Sequence, residues 1–95
     1  MRIKSEIAHF FCLKIRNLPV KAECFLFGSR TDDTRKGGDI DILILSDKMI
    51  ERKTLRQIKV AFFKQFGWQK LDLINFTYDD PDPFKMVILD EAIQL

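Results

Sequence analysis

The run Asp39-Ile40-Asp41-Ile42-Leu43-Ile44-Leu45 places the tightest limit on what this chain can fold into. Beyond its two carboxylates it is wholly apolar, the composition of a strand covered on both faces. It predicts a central strand over 39–45. Asp39 and Asp41 are two apart, so on a strand both side chains leave the same face. Two like charges on one face repel and are costly to bury without a partner. A strand end turned to solvent is one way to avoid that cost. A divalent cation is the other: hard oxygen ligands suit Mg²⁺. Such a cation also bridges phosphate oxygens and offsets charge during transfer.

A second feature precedes this run. Residues 22–27, Ala-Glu-Cys-Phe-Leu-Phe, read as a buried strand that ends at Gly28-Ser29-Arg30. Glycine permits a tight turn and close backbone approach. Ser29 offers a hydroxyl and a backbone N–H to a phosphate, and a short helix starting there would add further donors. Arg30 is placed to neutralise developing charge or to support the carboxylates. The loop from 30 to 38 mixes Arg30, Arg35 and Lys36 with Asp32 and Asp33, and it ends at Gly37-Gly38. Arg35 and Lys36 become phosphate ligands if this loop folds over the site. Neither GxxxxGK[ST] nor GxGxxG occurs, which excludes a P-loop and a dinucleotide fingerprint.

A third carboxylate interrupts a later apolar run, Leu71-Asp72-Leu73-Ile74. Alone it reads equally as an exposed strand position. If its strand pairs beside 39–45, three carboxylates converge: Asp39, Asp41 and Asp72.

The rest of the chain reads as a small α/β domain. Ile3, Ile7, Phe10 or Phe11, and Ile15 recur at helical spacing over 2–15, and Asn17-Leu18-Pro19 breaks that pattern. Residues 48–66 predict a second helix, with Asp47 as its cap, Leu55, Ile58, Phe62 and Phe66 as its apolar stripe, and Gly67 as its end. Residues 69–76 predict a third strand. Asp82 and Pro83 are a cap and first-turn pair for a last helix over 83–94. The order is helix, strand, strand, helix, strand, helix, with no repeat and no linker.

Composition narrows the classes. A length of 95 residues accommodates one domain with a modest core, and 46% hydrophobic residues fit a folded globule. Sixteen basic against fourteen acidic residues give a net charge of +2, too even to argue for nucleic-acid binding. Cys12 and Cys24 sit among apolar residues and read as reduced and buried; no CxxC unit exists, and His9 is the only histidine and receives no chemistry. No apolar run reaches the roughly 20 residues that span a bilayer, and no cleavage signature follows the N-terminus, so the cytosol is the expected compartment. Nine phenylalanines are the unusual count. Phe10, Phe11, Phe62, Phe63 and Phe84 either pack in the core or mark a partner surface.

Taken together, Leu26-Phe27-Gly28-Ser29-Arg30 and Gly38-Asp39-Ile40-Asp41-Ile42-Leu43 resemble the signature of the polymerase-beta-like nucleotidyltransferases. The likeness is greatest to their minimal subfamily, the small prokaryotic proteins of the MntA type, and it extends over nearly the whole chain. The resemblance implies a mixed sheet of three or more strands flanked by helices. It implies that Gly28 and Ser29, with Arg30, bind a nucleoside triphosphate. It implies that Asp39, Asp41 and Asp72 bind Mg²⁺ and carry catalysis, and that ATP is the donor. It also implies a partner, since minimal nucleotidyltransferases of this type pair with an all-helical HEPN-type toxin, in homo- or hetero-oligomers. In several such pairs they act as antitoxins by transferring AMP to a tyrosine. A protein of the same fold that neutralises its partner by contact, and a small-molecule nucleotidyltransferase, are the competing readings.

Overall fold

The computed structural model describes residues 3–31 and 38–95. The elements run α1 (Ser5–Arg16), β1 (Ala22–Phe27), a short 3₁₀ turn (Gly28–Thr31), β2 (Ile40–Ser46), α2 (Arg52–Phe66), β3 (Leu71–Thr77), α3 (Pro83–Glu91) and β4 (Ile93–Gln94). The four strands form one sheet in the order β3-β2-β1-β4. β2 pairs antiparallel with β1 and parallel with β3, so the sheet is mixed and β2 is internal, as its apolar run predicts.

Alternation along the strands sorts the core into two faces. Ile40, Ile42 and Ile44 of β2 join Cys24 and Leu26 of β1 and Leu71 of β3 beneath α1 and α2. Leu43 and Leu45 lie on the other face, under Ile88 of α3, with Phe25, Phe27, Ile74 and Phe76 around them. The first face carries most of the burial. Phe11 and Phe62 are fully enclosed and stack with ring centroids 5.6 Å apart, and Phe10 meets Phe11 edge-on at 5.3 Å. Phe63 and Phe66 pack against the same cluster. Neighbouring phenylalanines therefore do share one core: two helices lie on one face, so Phe10 and Phe11 both point into the gap between helix and helix or helix and sheet. Of the five residues weighed as an interface, Phe84 alone is more than half exposed.

Several boundaries differ from expectation, each for a visible reason. α1 begins at Ser5 after an extended Lys4, not at residue 2. α2 begins at Arg52, and its cap position is Glu51, still extended at φ −60° and ψ 142°. Asp47 does not cap it; its N–H donates to the Lys21 carbonyl at 3.1 Å. The chain between is held by Asn75, whose Oδ1 accepts from the Ile50 N–H at 2.8 Å, and by Ser46 Oγ donating to the Lys48 carbonyl at 2.7 Å. The last helix stops at Glu91, because the following residues pair with the free edge of β1. Leu26 faces Ile93, Phe25 faces Gln94, and the Leu95 N–H donates to the Cys24 carbonyl at 3.0 Å. Asp82 does cap α3, accepting from the Phe84 N–H at 2.9 Å with Pro83 in the first turn. Both cysteines are free thiols; Cys24 is buried, its thiol pushed up to about 12 by burial beside Cys12, whereas Cys12 is only half-buried. No described helix is long and apolar enough to cross a membrane.

Candidate active site

The parallel register of β2 and β3 sets Asp41 directly opposite Asp72. Asp41 shares its face with Leu43 and Leu45, and Asp72 shares its face with Ile74 and Phe76. Both carboxylates therefore leave the same side of the sheet, at the end where the two strands begin. Asp39 immediately precedes β2. On the other flank, the antiparallel partner of Asp41 is Phe27, and the next residue is Gly28.

Gly28 is required here twice over. Its φ is +76°, and a Cβ built on it would overlap the Oδ2 of Asp41. The carboxylate lies against the bare α-carbon, so glycine serves both the turn and the close approach. Thr31 closes the turn, its Oγ1 donating to the Gly28 carbonyl at 2.7 Å. Arg30 donates from Nε to the Gly38 carbonyl at 3.2 Å, which ties the turn to the segment leading into Asp39. Arg35, Lys36 and the acidic pair Asp32-Asp33 lie outside the described residues, as does the side chain of Ser29.

The electrostatics are those of crowded carboxylates. Asp41 is raised to about 6. Burial is the first cause; the hydrogen bond and charge of Asp72 and the charge of Asp39 add to it, and Lys70 opposes them. Lys70 places Nζ 3.4 Å from Asp39 Oδ2. Its own carbonyl accepts from the Ile40 N–H at 3.1 Å, so its backbone is fixed beside the start of β2. Sequence reasoning passed over Lys70, which the register that pairs Asp41 with Asp72 sets next to Asp39.

A divalent metal fits this donor set in its chemistry. Asp41 and Asp72, opposite each other in the register, are hard oxygen donors. The glycine cradle leaves Asp41 Oδ2 uncovered by any side chain at position 28. Asp39 is turned to Lys70, and among the described residues no three acidic, histidine or cysteine side chains already surround one point.

The family model described as "Nucleotidyltransferase domain" matches residues 5–95. The chain belongs to that family and is an enzyme of the nucleotidyltransferase type. Among solved structures, it resembles a chain in the crystal structure of a mutant toxin–antitoxin pair, MntA-HpeT. That match has a TM-score of 0.69 at 16% identity, covering 92% of this chain and 70% of the other. No curated protein matches at the sequence level.

Proposed function

We propose that residues 1–95 act as a single minimal nucleotidyltransferase domain that moves AMP from ATP to a hydroxyl of a partner protein, with Mg²⁺, and so serves as an antitoxin. The observation that carries the reading is the registered pair Asp41 and Asp72 on one face, with the Gly28 turn against Asp41. In this reading Asp39, Asp41 and Asp72 would hold Mg²⁺, which supplies positive charge against the triphosphate. Gly28, Ser29 and Arg30 orient the phosphates from the β1 side through the backbone of the turn and the guanidinium. Asp72, on the opposite flank, accepts the proton from the attacking hydroxyl. The in-line attack on the α-phosphorus releases pyrophosphate.

A partner protein is favoured as acceptor for two reasons. The net charge is near neutral, and the fold resembles a member of a toxin–antitoxin pair. By that analogy the acceptor is a tyrosine of a HEPN-type helical toxin.

The test mixes the purified chain with its genomic-neighbour protein, ATP and Mg²⁺, and reads the partner's intact mass. The expected result is a gain of one or more AMP units that disappears with Asp39→Asn and Asp41→Asn together. A tight complex with an unchanged partner mass would replace catalysis by neutralisation through contact. Transfer that survives the double substitution would overturn the site.

A further inference from the structure

We propose that Lys70 is an internal counterion of the acidic site: it occupies Asp39 in the absence of metal, competes with the metal for that carboxylate, and thereby couples metal binding to nucleotide binding. The inference deepens the proposed function and rests on it.

Two observations meet at this lysine. Its Nζ lies 3.4 Å from Asp39 Oδ2. Its backbone is held beside the start of β2, since its carbonyl accepts from the Ile40 N–H between the two strand starts. The lysine is thus a cation beside Asp39, the carboxylate that precedes β2 and the registered Asp41–Asp72 pair.

The consequences follow from charge alone. A divalent ion that takes Asp39 must displace an ammonium, so Lys70 weakens metal binding when nothing else is present. The displaced ammonium sits beside the metal position, and a bound triphosphate offers it anionic oxygens in exchange for the lost carboxylate. Nucleotide therefore lowers the cost of displacement, and by linkage metal improves nucleotide affinity to the same degree. The pair itself is exposed, so it adds little to stability and its effect is on binding.

The experiment uses Mn²⁺ as the metal probe and α,β-methylene-ATP as the nucleotide, on the full chain. Free Mn²⁺ is counted by electron paramagnetic resonance, and nucleotide binding at fixed Mn²⁺ is followed by calorimetry. Without nucleotide, Lys70→Met should bind Mn²⁺ about threefold to fivefold more tightly than wild type, the equivalent of one exposed ion pair. The same variant should bind the nucleotide analogue more weakly, and Lys70→Arg should restore both values. Opposite movement of the two affinities is a signature that a structural role would not produce. Equal Mn²⁺ affinity in wild type and Lys70→Met overturns the inference alone, as does a fall in both affinities together. Absence of Mn²⁺ binding in both proteins overturns the inference and the reading on which it rests.

Discussion

At the end of the sheet where β2 and β3 begin, the chain gathers Asp39, Asp41 and Asp72, with Gly28, Gly38 and Gly67 all at positive φ in the adjoining turns. At the end where the same strands finish, it builds a closed mesh of hydrogen bonds. Asn75 donates from Nδ2 to the Ile44 carbonyl and to Ser46 Oγ, both at 3.0 Å. Tyr78 N–H donates to the Ser46 carbonyl at 3.0 Å. Lys85, a buried residue of α3, donates from Nζ to the carbonyls of Tyr78 and Asp80. Among the described residues, no buried side-chain nitrogen or oxygen lacks a partner. At one end the buried polar groups are partnered; at the other, carboxylates crowd, with Asp41 raised by burial and by its neighbours Asp72 and Asp39.

The largest expected effect separates the two ends outright. Asp39→Asn with Asp41→Asn should lower nucleotidyl transfer by at least about 10³-fold, the scale of lost metal-assisted charge stabilisation. Urea unfolding of that variant should be unchanged or shifted to higher urea. A large loss of stability would mean that the site end also holds the fold together.

Asn75→Ala should do the reverse. It removes donors to Ile44 and Ser46 and the acceptor for Ile50, a cost of about 2–4 kcal/mol by urea denaturation. Mn²⁺ affinity of the folded fraction should not move. A change there would break the separation of the ends.

Two glycines sharpen the contrast within the site end. Gly28 and Gly67 have φ of +76° and +81°, and an alanine at either strains the backbone by about 1–2 kcal/mol. Only at Gly28 does the new Cβ meet Asp41; at Gly67 nothing lies within 4 Å. Gly28→Ala should therefore abolish Mn²⁺ binding, and Gly67→Ala should leave it intact although it too lowers thermal stability. Equal metal binding in the two variants would detach Gly28 from the site.

The smallest effect is on pH. With Asp41 raised from 3.8 to about 6, the unfolded chain loses this proton first and the folded chain later as pH rises. Between about pH 4 and 6 the folded state holds more protons, so stability conferred by this residue falls as pH rises through that window. In EDTA, Asp41→Asn should flatten the dependence and raise the urea midpoint at pH 7. An identical pH profile in wild type and variant would mean that Asp41 is not raised in the folded state.

Local chemistry made much of this legible in the sequence. The apolar run after Asp39 identified the internal strand, Asp82-Pro83 identified the start of α3, and Gly67 the end of α2. The paired approach of Asp41 and Asp72 needed only that β2 and β3 be parallel neighbours. What escaped reading depends on contacts distant in sequence. Asp47 resembles a cap, but Asn75, far along the chain, takes the Ile50 N–H and the helix starts only at Arg52. The final residues look helical until the open edge of β1 supplies backbone partners for Ile93 and Gln94. Whether the phenylalanines pack in the core or mark a surface stayed open, because the sequence does not say that α1 and α2 lie on the same face. Lys70 was hidden for a similar reason, since its significance comes from register and not from its neighbours in the chain.

Asp72 belongs to the strand at the border of the described sheet, β3-β2-β1-β4. A group carried on a border strand can be reached from the flank as well as from above, and the Asp72 side chain is exposed. Within the described sheet no strand lies beyond β3, so on that flank no further strand limits the width of an approaching acceptor.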